Sequence, residues 1–371
     1  MYHIHELLFL VAAFQPCLAF PKLSLDHLWS RRATEVAANN DSTFFWLAQD
    51  EYSGKTFFDD FTFYTFGDPT HGTVTYVNQT YAFENQLAYV QDDGIVIMKG
   101  DDTTWLPEGQ NRSSVRISSN TLYNTGLFIL DLNQAPWGCG VWPAFWTVGL
   151  DNWPFLGEID IIEGVHDNEH NQVTWHTGPG CTLSLESNYT GTVVASNGVP
   201  NTDCDGNANG NAGCGITEWS KASYGPFFQE QGGGVFAMKW DETGIAIYSF
   251  YRSAIPQDIT AGSPNPDNWG TPSASLAPAT CDPLTNFVNH SIVFDITFCG
   301  DWAGNSYATS GCPGSCSTHL MDPTNFVNAS WSINSLKVFK KQFINGQVSA
   351  AYSLHVPLYS LFVMLVFFAV L

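Results

Sequence analysis

The chain has 371 residues, of which 13% are charged and 15% aromatic, and its 13 Lys and Arg against 35 Asp and Glu give a formal net charge of −22. Phosphate recognition needs clustered Lys and Arg, so this balance argues against nucleic acid as a partner and repels acidic polymers. So few charged residues imply a polar, largely uncharged surface rich in Asn, Ser, Thr and Gly, which suits neutral polysaccharide, and the length suits one large β-sandwich domain.

Residues 1–19 read as a signal peptide. The apolar run Leu7 to Phe14 precedes a small-residue cleavage site after Cys17-Leu18-Ala19, with His3 and His5 standing where Lys or Arg is usual. Residues 20–42 have no strong periodicity and form an irregular N-terminal segment, in which Ser30-Arg31-Arg32 reads as an exposed tether rather than a trimming site. Residues 43–345 form the expected single domain, dominated by short β-type runs. These are Leu87 to Val90, Ile95 to Lys99, Ser114 to Ser118, Gly126 to Asp131, Glu158 to Glu163, Gln172 to His176, Val235 to Trp240, Ile245 to Tyr251, Ser291 to Phe298 and Ile333 to Phe339. Asp92-Asp93-Gly94 and Asp241-Glu242-Thr243-Gly244 are hairpin signals. The Pro- and Ser-rich stretch Asp258 to Pro283 reads as a long loop. Many strands with little helix predict two antiparallel sheets packed face to face. Residues 346–371 end in an apolar run without following basic residues. Ser349-Ala350-Ala351, a short spacer and that tail fit a glycosylphosphatidylinositol attachment signal, with a retained tail anchor as the alternative.

With the leader removed, eight cysteines remain: Cys139, Cys181, Cys204, Cys214, Cys281, Cys299, Cys312 and Cys316. An even number suits disulfides and an oxidising compartment, and thiolate pairs at zinc spacing are absent. Connectivity is not legible, although Cys204 and Cys214 bracket an Asn- and Gly-rich loop that a cystine would pin. Sequons at Asn40, Asn78, Asn111, Asn188, Asn289 and Asn328 fit the same route. The expectation is an extracellular monomer held at a cell surface through its processed C-terminus.

Gly157-Glu158-Ile159-Asp160-Ile161-Ile162-Glu163-Gly164 sets three carboxylates in an apolar, β-branched run, where isolated acids are expensive to desolvate. Alternation puts Glu158 and Asp160 on one face of a strand and Glu163 on the other. A β-bulge at Ile161-Ile162 would return Glu163 to the first face. Two acids flanking a sugar can run a retaining glycosidase, one attacking the anomeric carbon and the other trading the proton, and Glu158 and Glu163 fit those roles. Asp160 would help to hold their pKa values apart. The alternatives are a solvated strand face or a calcium site. Neither a metal nor a cofactor is required by the reading preferred here.

The motif Glu-x-Asp-x-x-Glu follows Val141-Trp142-Pro143-Ala144-Phe145-Trp146 and Asn152-Trp153-Pro154. With Phe57-Phe58-Asp59, Arg112 to Ile117, Gly126-Leu127-Phe128 and Phe298-Cys299-Gly300-Asp301-Trp302-Ala303-Gly304, in that order, the chain resembles the fungal laminarinase-like endo-β-1,3(4)-glucanases of glycoside hydrolase family 16. The resemblance implies a concanavalin-like jelly roll with its cleft on the concave sheet, Glu158 as nucleophile, Asp160 as assisting acid and Glu163 as general acid/base. It implies an endo-acting retaining enzyme on β-1,3 or mixed β-1,3/1,4 glucan. Cell-wall transglycosylation on the same fold and a non-catalytic glucan-binding lectin are the alternatives.

Trp faces cover pyranose CH surfaces well. Trp146, Trp153 and Trp302 match sugar-platform positions of the resembled family, while Trp142 divides evenly between core and platform. His176 matches a family histidine beside the acids. Arg116 either binds sugar hydroxyls over the cleft or pairs with a surface acid.

Overall fold

A computed structural model of the chain describes residues 36–37 and 43–343. The leader at 1–19, nearly all of the 20–42 segment and the tail at 346–371 lie outside the described residues. No described helix is long and apolar enough to cross a membrane.

Two large sheets, antiparallel in all their pairings, make a jelly-roll sandwich. The first runs in the order Val36–Ala37, Thr43–Tyr52, Ser330–Phe343, Gly126–Gln134, Gly234–Asp241, Gly244–Tyr251, Ala274–Leu276; Val96–Lys99 also pairs with Ser330–Phe343. The second runs Thr192–Val193, Cys214–Thr217, Gln172–His176, Glu158–Glu163, Val141–Gly149, His290–Phe298, Arg116–Ser119, Phe61–Phe63. The core lies where their inner faces meet. Phe145, Ile159 and Phe294 of the second sheet share one buried cluster with Phe128, Phe236, Trp331 and Leu336 of the first. The Phe145 and Phe294 rings stack at 4.7 Å, and Trp331 meets Phe294 edge-on at 5.5 Å. Each such side chain contributes roughly 1.5–3 kcal/mol by burial, so the inner residues fix the register of the outer ones.

Both hairpin signals are turns between paired strands: Val90 pairs with Val96 across Asp92-Asp93-Gly94, and Asp241 pairs with Gly244. The strands at Glu158–Glu163 and Gln172–His176 have the expected limits. Two expectations need correction. The 114–118 run is split into Arg112–Ser114, which pairs in parallel with Val74–Tyr76, and Arg116–Ser119, which enters the second sheet. The 258–283 stretch is not only loop, because Ala274–Leu276 adds an edge strand to Ile245–Ile247. Its small side chains lack the β-branched signal, and the neighbouring strand supplies the order.

Four disulfides join the eight cysteines: Cys139–Cys312, Cys181–Cys281, Cys204–Cys214 and Cys299–Cys316. The Asn- and Gly-rich loop is pinned by its own cystine, as its flanking cysteines suggested.

Candidate active site

Five adjacent strands of the second sheet, from Gln172–His176 across to Arg116–Ser119, present the polar cluster on their outer face. Opposite the acid strand, Ala144 pairs with Glu163, Trp146 with Asp160 and Val148 with Glu158, and the register skips Ile161. On the other side, Glu158 pairs with His176, Asp160 with Thr174 and Glu163 with Gln172, with the slip again between Asp160 and Glu163. This is the one-residue bulge the spacing requires. Ile159, Ile161 and Ile162 are all fully buried, so core packing holds the inward isoleucines and the bulge delivers all three acids outward. Gly157 sets the entry to the strand at φ +83, where a Cβ would stand 2.4 Å from the Asn286 carbonyl oxygen; no other residue fits that turn.

Each glutamate has its own indole. Trp153 Nε1 donates to Glu158 Oε2 at 2.8 Å, and Trp142 Nε1 donates to Glu163 Oε1 at 2.9 Å. His176 Nε2 lies 3.4 Å from Asp160 Oδ2 and 3.9 Å from Glu158 Oε1. Burial, then the Asp160 charge, pushes Glu158 up to about 7, against relief from His176, Trp153 and Arg116. Burial pushes Asp160 well above the ordinary carboxylate range, with Asp295 adding to it. Glu163 is likewise pushed well up, by burial first and then by Asp160. The trio therefore retains protons near neutrality, and Glu158 has the surroundings that best tolerate an ionised form.

One ligand atom each from Glu158, Asp160 and His176 lies within 4.8 Å of the others. Two carboxylates and an imidazole fall short of the about six to eight oxygens that calcium gathers.

A fourth acid sits in the same cluster. Asp295 pairs with Ala144 on one side and Arg116 on the other, making the cross-strand row Glu163, Ala144, Asp295, Arg116. Trp146 Nε1 donates to Asp295 Oδ2 at 3.1 Å, and burial lifts Asp295 to about 7 even with Arg116 beside it. Arg116 is buried, its guanidinium over the Tyr64 ring at 4.6 Å and the Trp146 ring at 5.0 Å. Its neighbouring acid is thus a buried one of the cluster, not a surface one. Trp302, on the turn Gly300–Gly304, meets Trp142 edge-on at 5.9 Å. It also lines an open cavity of ≈ 470 Å³ with Gln172, Thr217 and the 167–170 loop. Trp153 is 39% exposed, whereas Trp142 and Trp146 are half-buried. All nine residues singled out from the sequence converge on this one surface.

Residues 61–339 match the family model described as "XgeA-like, catalytic GH16 domain". The chain belongs to glycoside hydrolase family 16. A Schizosaccharomyces pombe protein named "probable glycosidase" is 45% identical over 296 residues, covering 78% of this chain and 68% of its own length. An Aspergillus flavus "probable endo-1,3(4)-beta-glucanase" is 42% identical over 300 residues, covering 78% of this chain and 44% of its own. The chain thus spans less than half of that longer relative. Among solved structures, the GH16 laminarinase 16A from Phanerochaete chrysosporium, described with β-glucans in donor and acceptor sites, aligns at TM-score 0.75 and 40% identity over 80% of this chain and 99% of its own. A GH16 elongating β-1,3-glucosyltransferase aligns at TM-score 0.74 and 39% identity, over 80% of this chain and 100% of its own.

Several members of the GH16 cluster escaped the sequence reading. Asp295 carries the same signal as the acid strand, a carboxylate inside Ile292-Val293-Phe294-Asp295-Ile296, and could have been found by it. Tyr64, and Asn171, whose side-chain oxygen accepts from the Glu163 backbone N–H at 2.8 Å, carry none, since an aromatic after a strand and an amide in a polar loop are ordinary.

Proposed function

We propose that the chain is an endo-acting retaining β-glucanase hydrolysing β-1,3 or mixed β-1,3/1,4 glucan. The observation that carries this reading is the bulged strand that turns Glu158 and Glu163 to one face in unlike surroundings. Glu158 attacks the anomeric carbon as its carboxylate while the glycosidic C–O bond breaks, and Glu163 gives its proton to the departing sugar oxygen. Water then attacks the anomeric carbon of the glycosyl-Glu158 intermediate, Glu163 takes the water's proton, and the bond from that carbon to the Glu158 oxygen breaks, so that two inversions retain the configuration. Asp160 keeps protons on the trio. Trp153 and Trp302 offer ring faces at either side of the acids, and His176 and Arg116 offer hydrogen bonds to sugar hydroxyls. The names of relatives and the glucan-bound laminarinase support β-glucan as the substrate.

Glu158→Gln should fold normally and lose turnover on laminarin, with the native enzyme releasing β-anomeric products by NMR. Ordinary activity in that variant would overturn the assignment. Transglycosylation is the second reading, favoured by the glucosyltransferase neighbour and by the cavity beside Trp302, where a sugar acceptor could displace water. Products longer than the starting oligosaccharide would select it.

Secretion and surface attachment belong to the same proposal, supported by four disulfides. Release of the enzyme from intact cells by phosphatidylinositol-specific phospholipase C tests it, and retention would replace the lipid anchor with another tether.

A further inference from the structure

The bulge that brings Glu163 outward disrupts the ladder on the side of the Gln172–His176 strand, and something must hold the displaced backbone. Asn171, the residue just before that strand, is fully buried and does so with its side chain. Its Oδ1 accepts from the Glu163 backbone N–H at 2.8 Å, and its Nδ2 donates to the Ile161 carbonyl oxygen at 2.8 Å. These two groups flank Ile162, which pairs on the opposite side with Phe145. A carboxamide has the donor and acceptor of a peptide unit, so it stands in for the missing ladder residue. Its second N–H goes to Glu218 Oε1 at 3.1 Å. Glu218 is itself buried and accepts from the Ser249 hydroxyl. That acceptor orients the amide, nitrogen toward Glu218 and Ile161, oxygen toward Glu163. The backbone of Asn171 is tied as well, its N–H to Ser223 Oγ at 2.9 Å and its carbonyl oxygen to the Glu218 N–H at 2.8 Å.

We propose that Asn171, oriented by Glu218, is a positioning residue for the acid/base: by clamping Ile161 and Glu163 across the bulge it fixes where the Glu163 carboxyl meets the scissile oxygen. The inference rests on the proposed role of Glu163. A displacement of about 1 Å at a reacting group can cost roughly 10²-fold in rate. The loss has a signature. A sugar alkoxide is a poor leaving group that needs the Glu163 proton, whereas 2,4-dinitrophenolate leaves without it.

The test measures kcat/KM on laminarin and on 2,4-dinitrophenyl β-laminaribioside for the wild type, Asn171→Ala and Glu163→Ala, with circular dichroism to establish folding. For Asn171→Ala we expect a loss of about 10- to 100-fold on laminarin and less than about 3-fold on the aryl glycoside, with Glu163→Ala giving a larger split of the same sense. Equal losses on both substrates, or none, would overturn the proposal. If Glu163→Ala itself shows no split, the acid/base reading fails instead. Should Asn171→Ala not fold, the isosteric Asn171→Asp keeps the acceptor for Glu163 but loses both donors, and the same split is expected; an unchanged ratio there overturns the clamp.

Discussion

At the scale of single residues, the site is a set of carboxylates held away from water. Glu158 has a folded value of about 7 against an ordinary 4.5, so between those values the folded state binds more protons than the unfolded one. Stability therefore falls as pH rises through that window. The shift corresponds to about 3 kcal/mol once Glu158 is fully ionised. Glu158→Gln keeps the shape and an acceptor for Trp153 but removes the charge. Its melting temperature should exceed that of the native enzyme by several degrees at pH 7.5 and differ little at pH 4.5. Equal melting temperatures at both pH values would mean that Glu158 is not desolvated. Asp160 gives a second prediction, because it raises both glutamates. Asp160→Asn should move both limbs of the pH profile of kcat/KM toward acid, the lower limb reporting Glu158 ionisation and the upper limb Glu163 deprotonation. Limbs that stay in place would remove Asp160 from the electrostatics of the pair.

At the scale of elements, the bulge decides the arrangement. Asp160 and Glu163 are three positions apart, an odd number, so only an extra residue puts them on one face. Deleting Ile162 leaves two positions, and plain alternation then keeps Glu163 outward. We expect that variant to lose about 2–5 kcal/mol of stability with the buried side chain, and to retain measurable laminarin hydrolysis above the level of Glu163→Ala. Activity at or below that level in a folded variant would show that parity alone does not place the acid. The acid strand was legible in the sequence because carboxylates among isoleucines conflict with burial unless they share an outer face. The Val141–Gly149 strand is harder to read from sequence, because Pro143 argues against a central position. It is tolerated where the acid strand has already ended, Ala144 opposite Glu163 being the last pair. The amide of Asn171 was illegible for another reason: its role depends on a contact to a backbone bend, which no residue pattern encodes.

At the scale of the whole molecule, alternating runs and turn residues made two antiparallel sheets legible, while strand order and cysteine pairing depend on contacts distant in sequence. Cys139–Cys312 spans 173 residues and Cys181–Cys281 spans 100, whereas Cys204–Cys214 spans 10. If a cross-link acts by restricting the unfolded chain, the first two are worth about 5 kcal/mol each and the last about 3, taken singly. Replacing each pair by serine should therefore lower the melting temperature more for Cys139–Cys312 and Cys181–Cys281 than for Cys204–Cys214. The functional ranking should differ from the thermal one. Cys139–Cys312 joins the loop before the Trp142 strand to the segment after Trp302, and Cys299–Cys316 holds the turn that carries Trp302. Trp302 in turn packs against Trp142, the partner of Glu163. Loss of Cys299–Cys316, only 17 residues apart, should therefore raise KM for laminarin more than loss of Cys181–Cys281, despite a smaller effect on melting. Thermal melts and laminarin kinetics on the four serine pairs check both orders, and identical rankings by stability and by KM would show that the Trp302 turn keeps its place without the cystine.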